Sequence, residues 1–185
     1  VARILSVLSA PGPGSRTDAV GVRAARRLAG LGHDVTDLAI RDLPADALLW
    51  RDVGHPAVAA ALDRVEHADA LIVTSAVYQS SFTAPVKAFL DLFPMNGLRD
   101  KFVLPFMVGG SAGHVLALDY ALRPVLQSLA PTHVAAGRYI LAAGVLLDAE
   151  GRVGFEESAA ADIDRATADF AAQLGGPDRE LRWAS

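Results

Sequence analysis

Ala70-Leu71-Ile72-Val73-Thr74 is an unbroken apolar and β-branched run. It gives way at once to Ser75-Ala76-Val77-Tyr78-Gln79-Ser80-Ser81-Phe82, a polar stretch with aromatics at Tyr78 and Phe82, after which Thr83 can cap a helix and Pro85 fits its first turn. A short run without polar alternation reads as a strand covered on both faces, and such strands belong to parallel sheets whose crossovers are helices. The rest of the chain must then supply further strand and helix units. In an open parallel sheet, ligands sit outside the carboxyl ends of the strands, where crossovers leave in opposite directions. Ser75 to Phe82 is therefore expected to be a loop that floors a ligand pocket.

The other units follow in order. Arg3 to Leu8 is a second buried strand; Ser9 to Thr17 is too rich in Pro and Gly to be regular; Val20, Ala24, Leu28 and Leu31 mark a helix ended by Gly30 and Gly32. Asp34 to Ile40 reads as an edge strand, Arg41 to Gly54 as a connection, and Pro56 as the first turn of a helix burying Val58, Ala61, Leu62 and Val65. Beyond Thr83, the stripe Val86, Phe89, Leu90 and Phe93 runs until Pro94. Lys101 to Val108 is a fourth strand, although Pro105 cannot donate a ladder hydrogen bond. After Gly109-Gly110-Ser111-Ala112-Gly113-His114, a helix carries Val115, Leu118, Leu122, Val125, Leu126 and Leu129. Pro124 inside it predicts a kink or widened turn near Leu118 to Tyr120. Val134 to Leu141 is a fifth strand bent at Gly137, Asp148 to Gly151 a turn, and Ile163, Ala166, Phe170 and Leu174 a last helix.

Five strands alternating with five helices predict one α/β domain over residues 1–175, with a polar tail over 176–185. The polar loop after the first strand and the short chain favour a flavodoxin-like doubly wound, five-stranded parallel sheet of order 2-1-3-4-5 with helices on both faces. Composition narrows the partners. At 52% hydrophobic and 21% charged the chain can build a core, and a net charge of -4 offers no basic excess for nucleic acid or an anionic membrane. There is no cysteine for a disulfide or thiolate chemistry. No apolar run has membrane-spanning length, and Val1 to Leu8 reads as a strand rather than a leader, so a cytoplasmic protein is expected.

In that topology three loops open on one edge and become three walls of a pocket. Ser9, Ser15, Arg16 and Thr17, with the free N-H groups of a helix start, suit a phosphate dianion. A capping box explains Ser15 and Asp18 but not the other hydroxyls with Arg16, although Asp18 sets a negative charge nearby. Ala76, Val77, Tyr78 and Phe82 offer apolar contact and backbone groups to a flat ring; Gly110 and Ser111 allow close backbone approach. His33, His55, His67, His114 and His133 are dispersed, without a nucleophile or metal-ligand spacing. No catalytic side chain and no metal site is expected, so a bound cofactor must supply the chemistry. Asp119, Tyr120 and Arg123 fit a subunit contact, since Leu116, Leu118 and Leu122 are too many to bury on one face.

Thr74 to Tyr78, Phe82-Thr83, Lys87 to Leu92, Lys101 to Pro105, Gly109 to Ser111, His114 and above all Leu118-Asp119-Tyr120-Ala121-Leu122-Arg123-Pro124-Val125-Leu126 resemble the NADPH-dependent FMN reductases. Within them the chain is most similar to the alkanesulfonate-assimilation reductases of two-component monooxygenase systems. The resemblance implies FMN bound across the three loops, with phosphate at Ser9, Ser15, Arg16 and Thr17, ring and ribityl chain at Ala76, Val77, Tyr78 and Phe82, and ring edge at Gly110 and Ser111. It implies hydride transfer from NADPH to FMN, reduced flavin passed to a monooxygenase, and a homodimer or homotetramer with Tyr120 in a widened turn at the interface. Ser75-Ala76 stands where the family often has Thr-Pro, implying a looser loop, and Gly12-Pro13-Gly14 lengthens the first loop. Two other readings are a quinone or azo reductase that retains its FMN, and a flavodoxin-like electron carrier whose ring would lie against Tyr78 and Trp50.

Overall fold

Residues 1–12, 14–148 and 150–175 are described by a computed structural model. The chain begins with β1 (Arg3–Leu8), α1 (Arg16–Gly30) and β2 (Asp34–Ala39), then the short α2 (Ala45–Leu49) and α3 (Pro56–His67). β3 (Ala70–Tyr78) turns back into β4 (Ser81–Phe82), and α4 (Ala84–Asp91) leads to β5 (Phe102–Gly109). A π-helical turn at Leu118–Leu122 runs into α5 (Arg123–Ser128); β6 (His133–Val134) and β7 (Arg138–Leu141) follow. The hairpin β8 (Val145–Leu147) with β9 (Val153–Phe155) precedes α6 (Glu157–Leu174).

The parallel sheet runs β2, β1, β3, β5, and beyond β5 come β6 and β7 as two pieces of one position. That is the 2-1-3-4-5 order the sequence predicts. Strand residues point alternately to two cores. Leu5, Val7, Leu71, Val73, Val103 and Met107 meet α3, α4 and α5, whereas Ile4, Ile72, Leu104, Phe106 and Val108 meet α1 and α6. Gly21 lets α1 lie close, because a Cβ there would stand 2.7 Å from Thr74 Oγ1 and 2.8 Å from Leu8 Cδ2. The crossover from β1 thus leaves on one face and that from β3 on the other, which opens a crevice between their carboxyl ends.

Several expectations change. The third strand does not stop at Thr74: Ser75 and Ala76 pair with Met107 and Val108, and Val77 and Tyr78 pair with Phe82 and Ser81. The floor of the crevice is a hairpin, turned by Gln79 (φ 49) and Ser80 (φ 60) in the geometry of a two-residue loop. The connection Arg41 to Gly54 contains α2, and the turn at Asp148 to Gly151, of which Ala149 lies outside the described residues, joins β8 to β9. The expected tail over 176–185 also lies outside the described residues.

Pro105 is accommodated where pairing is interrupted. Between the Val103–Val134 and Phe106–Arg138 pairs, Leu104 and Pro105 face Ala135, Ala136 and Gly137, so the outer strand carries one extra residue, a bulge. The bulge frees carbonyls, and Arg123 takes them: its guanidinium donates to the carbonyl oxygens of Val134 (3.1 Å), Ala135 (2.9 Å) and Ala136 (2.7 Å), and to Asp119 Oδ1 (2.8 Å). The widened turn expected ahead of Pro124 is the π turn itself. Among the described residues no helix is long and apolar enough to cross a membrane.

Candidate functional site

The three expected walls extend from neighbouring strands held in register: Val7 pairs with Val73, and Val73 with Pro105. β1 ends one residue later, at Leu8, while β3 and β5 run on to Tyr78 and Gly109, so the first loop sits in a notch beside the hairpin. Ser9 is buried, and its hydroxyl has no hydrogen-bond partner among the described residues; the same holds for Thr83 at the far end of the hairpin and for Thr74 beneath. Buried hydroxyls without partners are uncommon and point to a missing acceptor or donor.

Ser15 is the N-cap of α1 and accepts the Asp18 N-H at 3.0 Å, which leaves its own hydroxyl proton to donate. The N-H groups of Arg16 and Thr17, at the first two helical positions, have no intrahelical acceptor. The Arg16 Nε donates to the Val145 carbonyl at 2.8 Å, an anchor the sequence did not reveal, and the side chain stays exposed. Thr17 is buried.

The Asp18 charge is paired. Its carboxylate turns under the loop, accepting the Ala10 N-H at 3.0 Å and an Arg41 Nη hydrogen at 2.6 Å, with its side chain 8% exposed. Only half of the expected capping box forms. The paired charge holds the loop's backbone rather than facing its mouth.

The hairpin is braced rather than loose. Ser75 Oγ accepts the Thr83 N-H at 3.0 Å and donates to the Ala76 carbonyl at 2.9 Å, so Ser75 ties both ends of the hairpin. Thr83 occupies the N-cap of α4 without a side-chain cap bond, contrary to expectation, while its backbone is held by Ser75. Ala76, Val77 and Phe82 are half-buried, and Tyr78 is exposed beside the notch. Trp50 is an exposed C-cap of α2 and belongs to none of the three walls.

In the third wall a Cβ on Gly110 would meet open space. Ser111 Oγ accepts the Gly113 N-H at 3.2 Å, so this wall presents backbone together with the Ser111 hydroxyl proton. A residue missed by the sequence reading supports it: the Tyr139 hydroxyl donates to the Ser111 carbonyl at 2.6 Å. Arg123, expected at a subunit contact, is turned inward onto the bulge carbonyls, whereas Tyr120, Leu116 and Val115 are exposed and Leu118 and Leu122 buried.

A separate groove of about 870 Å³ runs along α1 past β9 and α6, sharing Gly14 and Ser15 with the first loop. Its arginines are largely engaged. Arg23 forms a two-pronged pair with Asp164 (2.9 and 2.8 Å), holding that carboxyl below its ordinary range, and lies over the Phe155 ring.

The family model described as NADPH-dependent FMN reductase matches residues 2–145. The FMN reductase (NADPH) of Pseudomonas putida is 40% identical over 126 residues, 68% of this chain and 64% of that protein. The FMN reductase (NADPH) of Escherichia coli is 34% identical over 127 residues, 69% of this chain and 66% of that protein. The aligned stretch therefore spans just under two thirds of each of these relatives. The solved structure of an NADH:FMN oxidoreductase (EMOB) in its apo form superposes with a TM-score of 0.84 at 32% identity, covering 96% of this chain and 93% of that one. With the family model spanning most of the chain and the superposition covering 96% of it, this chain belongs to the NADPH-dependent FMN reductase family.

Proposed function

We propose that this chain is a cytoplasmic reductase that transfers hydride from a reduced nicotinamide to FMN and passes the reduced flavin to a flavin-dependent monooxygenase. The observation that carries this reading is the unpartnered Ser9 hydroxyl in the loop that Asp18 ties to the start of α1, with the N-H groups of Arg16 and Thr17 left without intrahelical acceptors and Arg16 exposed, a donor set that fits a phosphate dianion. When bound, FMN supplies the hydride acceptor that none of the chain's side chains provides. The chain's residues orient and exclude water. Ser9, Ser15, Arg16 and Thr17 would hold the phosphate, Ala76, Val77, Tyr78 and Phe82 the ring and ribityl chain, and Gly110 and Ser111 the ring edge.

No side chain in the three walls has to move a proton for hydride transfer, so alignment of the two rings governs the rate. The similar proteins are named for both donors, NADPH and NADH. Stopped-flow reduction with each nicotinamide, with and without added FMN, tests the proposal. Oxidation of at least one donor dependent on FMN is expected; absence of both turnover and FMN binding overturns it. Arg16→Ala is expected to weaken FMN binding by roughly 1.5 to 3 kcal/mol, the scale of a charged hydrogen bond. An unchanged FMN titration removes Arg16 from the phosphate site.

The same reading places a second copy of the chain against the π turn. Tyr120 is 78% exposed, with Leu116 and Val115 beside it in sequence also exposed, and β4 packs against this turn, which puts the face next to the hairpin. Tyr120→Arg is expected to shift the assembly toward monomer by light scattering at micromolar concentration while leaving the circular dichroism spectrum unchanged. A mass equal to that of the parent assembly would move the interface elsewhere.

A further inference from the structure

We infer that Tyr139 is the positioning residue of the third wall, a clamp that fixes the peptide at Ser111–Ala112 against which the flavin ring edge rests; this rests on the flavin reading above. Tyr139 pairs with Met107 across β5 and β7, and its side chain passes over Gly109 to reach the Ser111 carbonyl at 2.6 Å. Gly109 is what allows the passage. A Cβ there would collide with the Tyr139 hydroxyl oxygen and lie 3.0 and 3.1 Å from the Cζ and Cε2 ring carbons.

The Ser111 carbonyl also accepts the His114 N-H at 3.1 Å, so both of its lone pairs are occupied and its direction is set. Peptide planarity then turns the Ala112 N-H the opposite way, away from β7. Gly110 has no side chain and Ser111 Oγ is oriented by the Gly113 N-H it accepts, so at Gly110–Ser111 the loop offers a ring its backbone and one hydroxyl proton. Backbone aim is therefore a main determinant of recognition here, and Tyr139 sets it from outside the three loops. Burial raises the Tyr139 pKa above the ordinary tyrosine value, which keeps the hydroxyl a donor.

Tyr139→Phe removes the hydroxyl and keeps the ring. Its unfolding midpoint should stay within about 3 °C of the parent, because water can reach this half-exposed position. Its FMN dissociation constant, read by flavin fluorescence, should rise about fivefold, the scale of one hydrogen bond. The visible absorption envelope of bound flavin should shift toward that of free FMN, and amides 110–114 should exchange faster in flavin-free protein. Gly109→Ala should lower the midpoint, and adding Tyr139→Phe should restore part of it, since the collision is with the hydroxyl. Equal FMN affinity and equal amide exchange in Tyr139→Phe and parent, with the parent binding FMN normally, overturn the clamp alone. A parent that binds no FMN overturns the proposed function and the clamp together.

Discussion

Gly137→Ala is expected to lower the stability of the folded chain by roughly 3 kcal/mol or more, summing a left-handed backbone cost with an overpacking cost. Gly137 sits at φ +66, where L side chains are disfavoured, and its Cβ would collide with the Pro105 carbonyl oxygen and lie 2.8 Å from Pro105 Cγ. The carbonyl belongs to a central strand paired on its other side to Val73, so it cannot retreat. Gly151→Ala is the control. It has φ +75 with nothing within 4 Å of a Cβ, so only the conformational cost of about 1 to 2 kcal/mol applies. Urea unfolding of both variants separates the two causes. Equal losses would mean that the close approach to Pro105 contributes nothing. The bulge also brings Tyr139 level with Met107, so FMN affinity of the folded fraction of Gly137→Ala should fall as well.

The bend at Gly137 and the widened turn before Pro124 were legible because their causes are local: a glycine free to take positive φ, and a proline that removes a helical hydrogen bond. β1 is legible to its last residue because Arg3 to Leu8 is followed at once by loop-forming Ser9 to Gly14. The extension of β3 to Tyr78 was hidden because Ser75 and Ala76 become strand by pairing with Met107 and Val108, contacts about thirty residues away that leave no periodic trace. Gln79-Ser80 lacks the Asn-Gly or Asp-Gly pattern that announces a two-residue hairpin loop. β8 and β9 are three residues each, too short for alternation to register, although their turn was visible. Within the site, hydroxyls and glycines could be named from composition after strand ends. What orients them could not, because Arg41, Val145 and Tyr139 reach the loops from other elements. A buried acid three residues after an N-cap, with an arginine just past the next strand, is the signal that would have suggested the Asp18–Arg41 pair.

That pair supports the second large prediction, in which two effects of opposite sign compete. Asp18→Ala removes a negative charge close to the proposed phosphate, and Coulomb attraction alone would then tighten FMN binding. The gain is about 0.5 kcal/mol per unit charge at ~8 Å in water and about 2 kcal/mol at the effective dielectric of about 20 that suits a protein site, less with salt. Against it stands the loss of a buried carboxylate that holds Ala10 N-H at 3.0 Å and Arg41 at 2.6 Å, with Arg41 also 3.4 Å from the Ala10 carbonyl. Removing one partner of a largely buried pair costs on the order of 2 to 4 kcal/mol, reduced from the fully buried scale because Arg41 is 26% exposed. Fixing even two released loop residues on binding costs about 2 to 4 kcal/mol more. Ordering therefore outweighs charge. Asp18→Ala is expected to weaken FMN binding about tenfold or more and to lower the unfolding midpoint. Asp18→Asn, which can still accept the Ala10 N-H but not pair with Arg41, should fall between. Tighter FMN binding by Asp18→Ala in an isothermal titration would show that Asp18 acts on the site through its charge and not through the loop it holds.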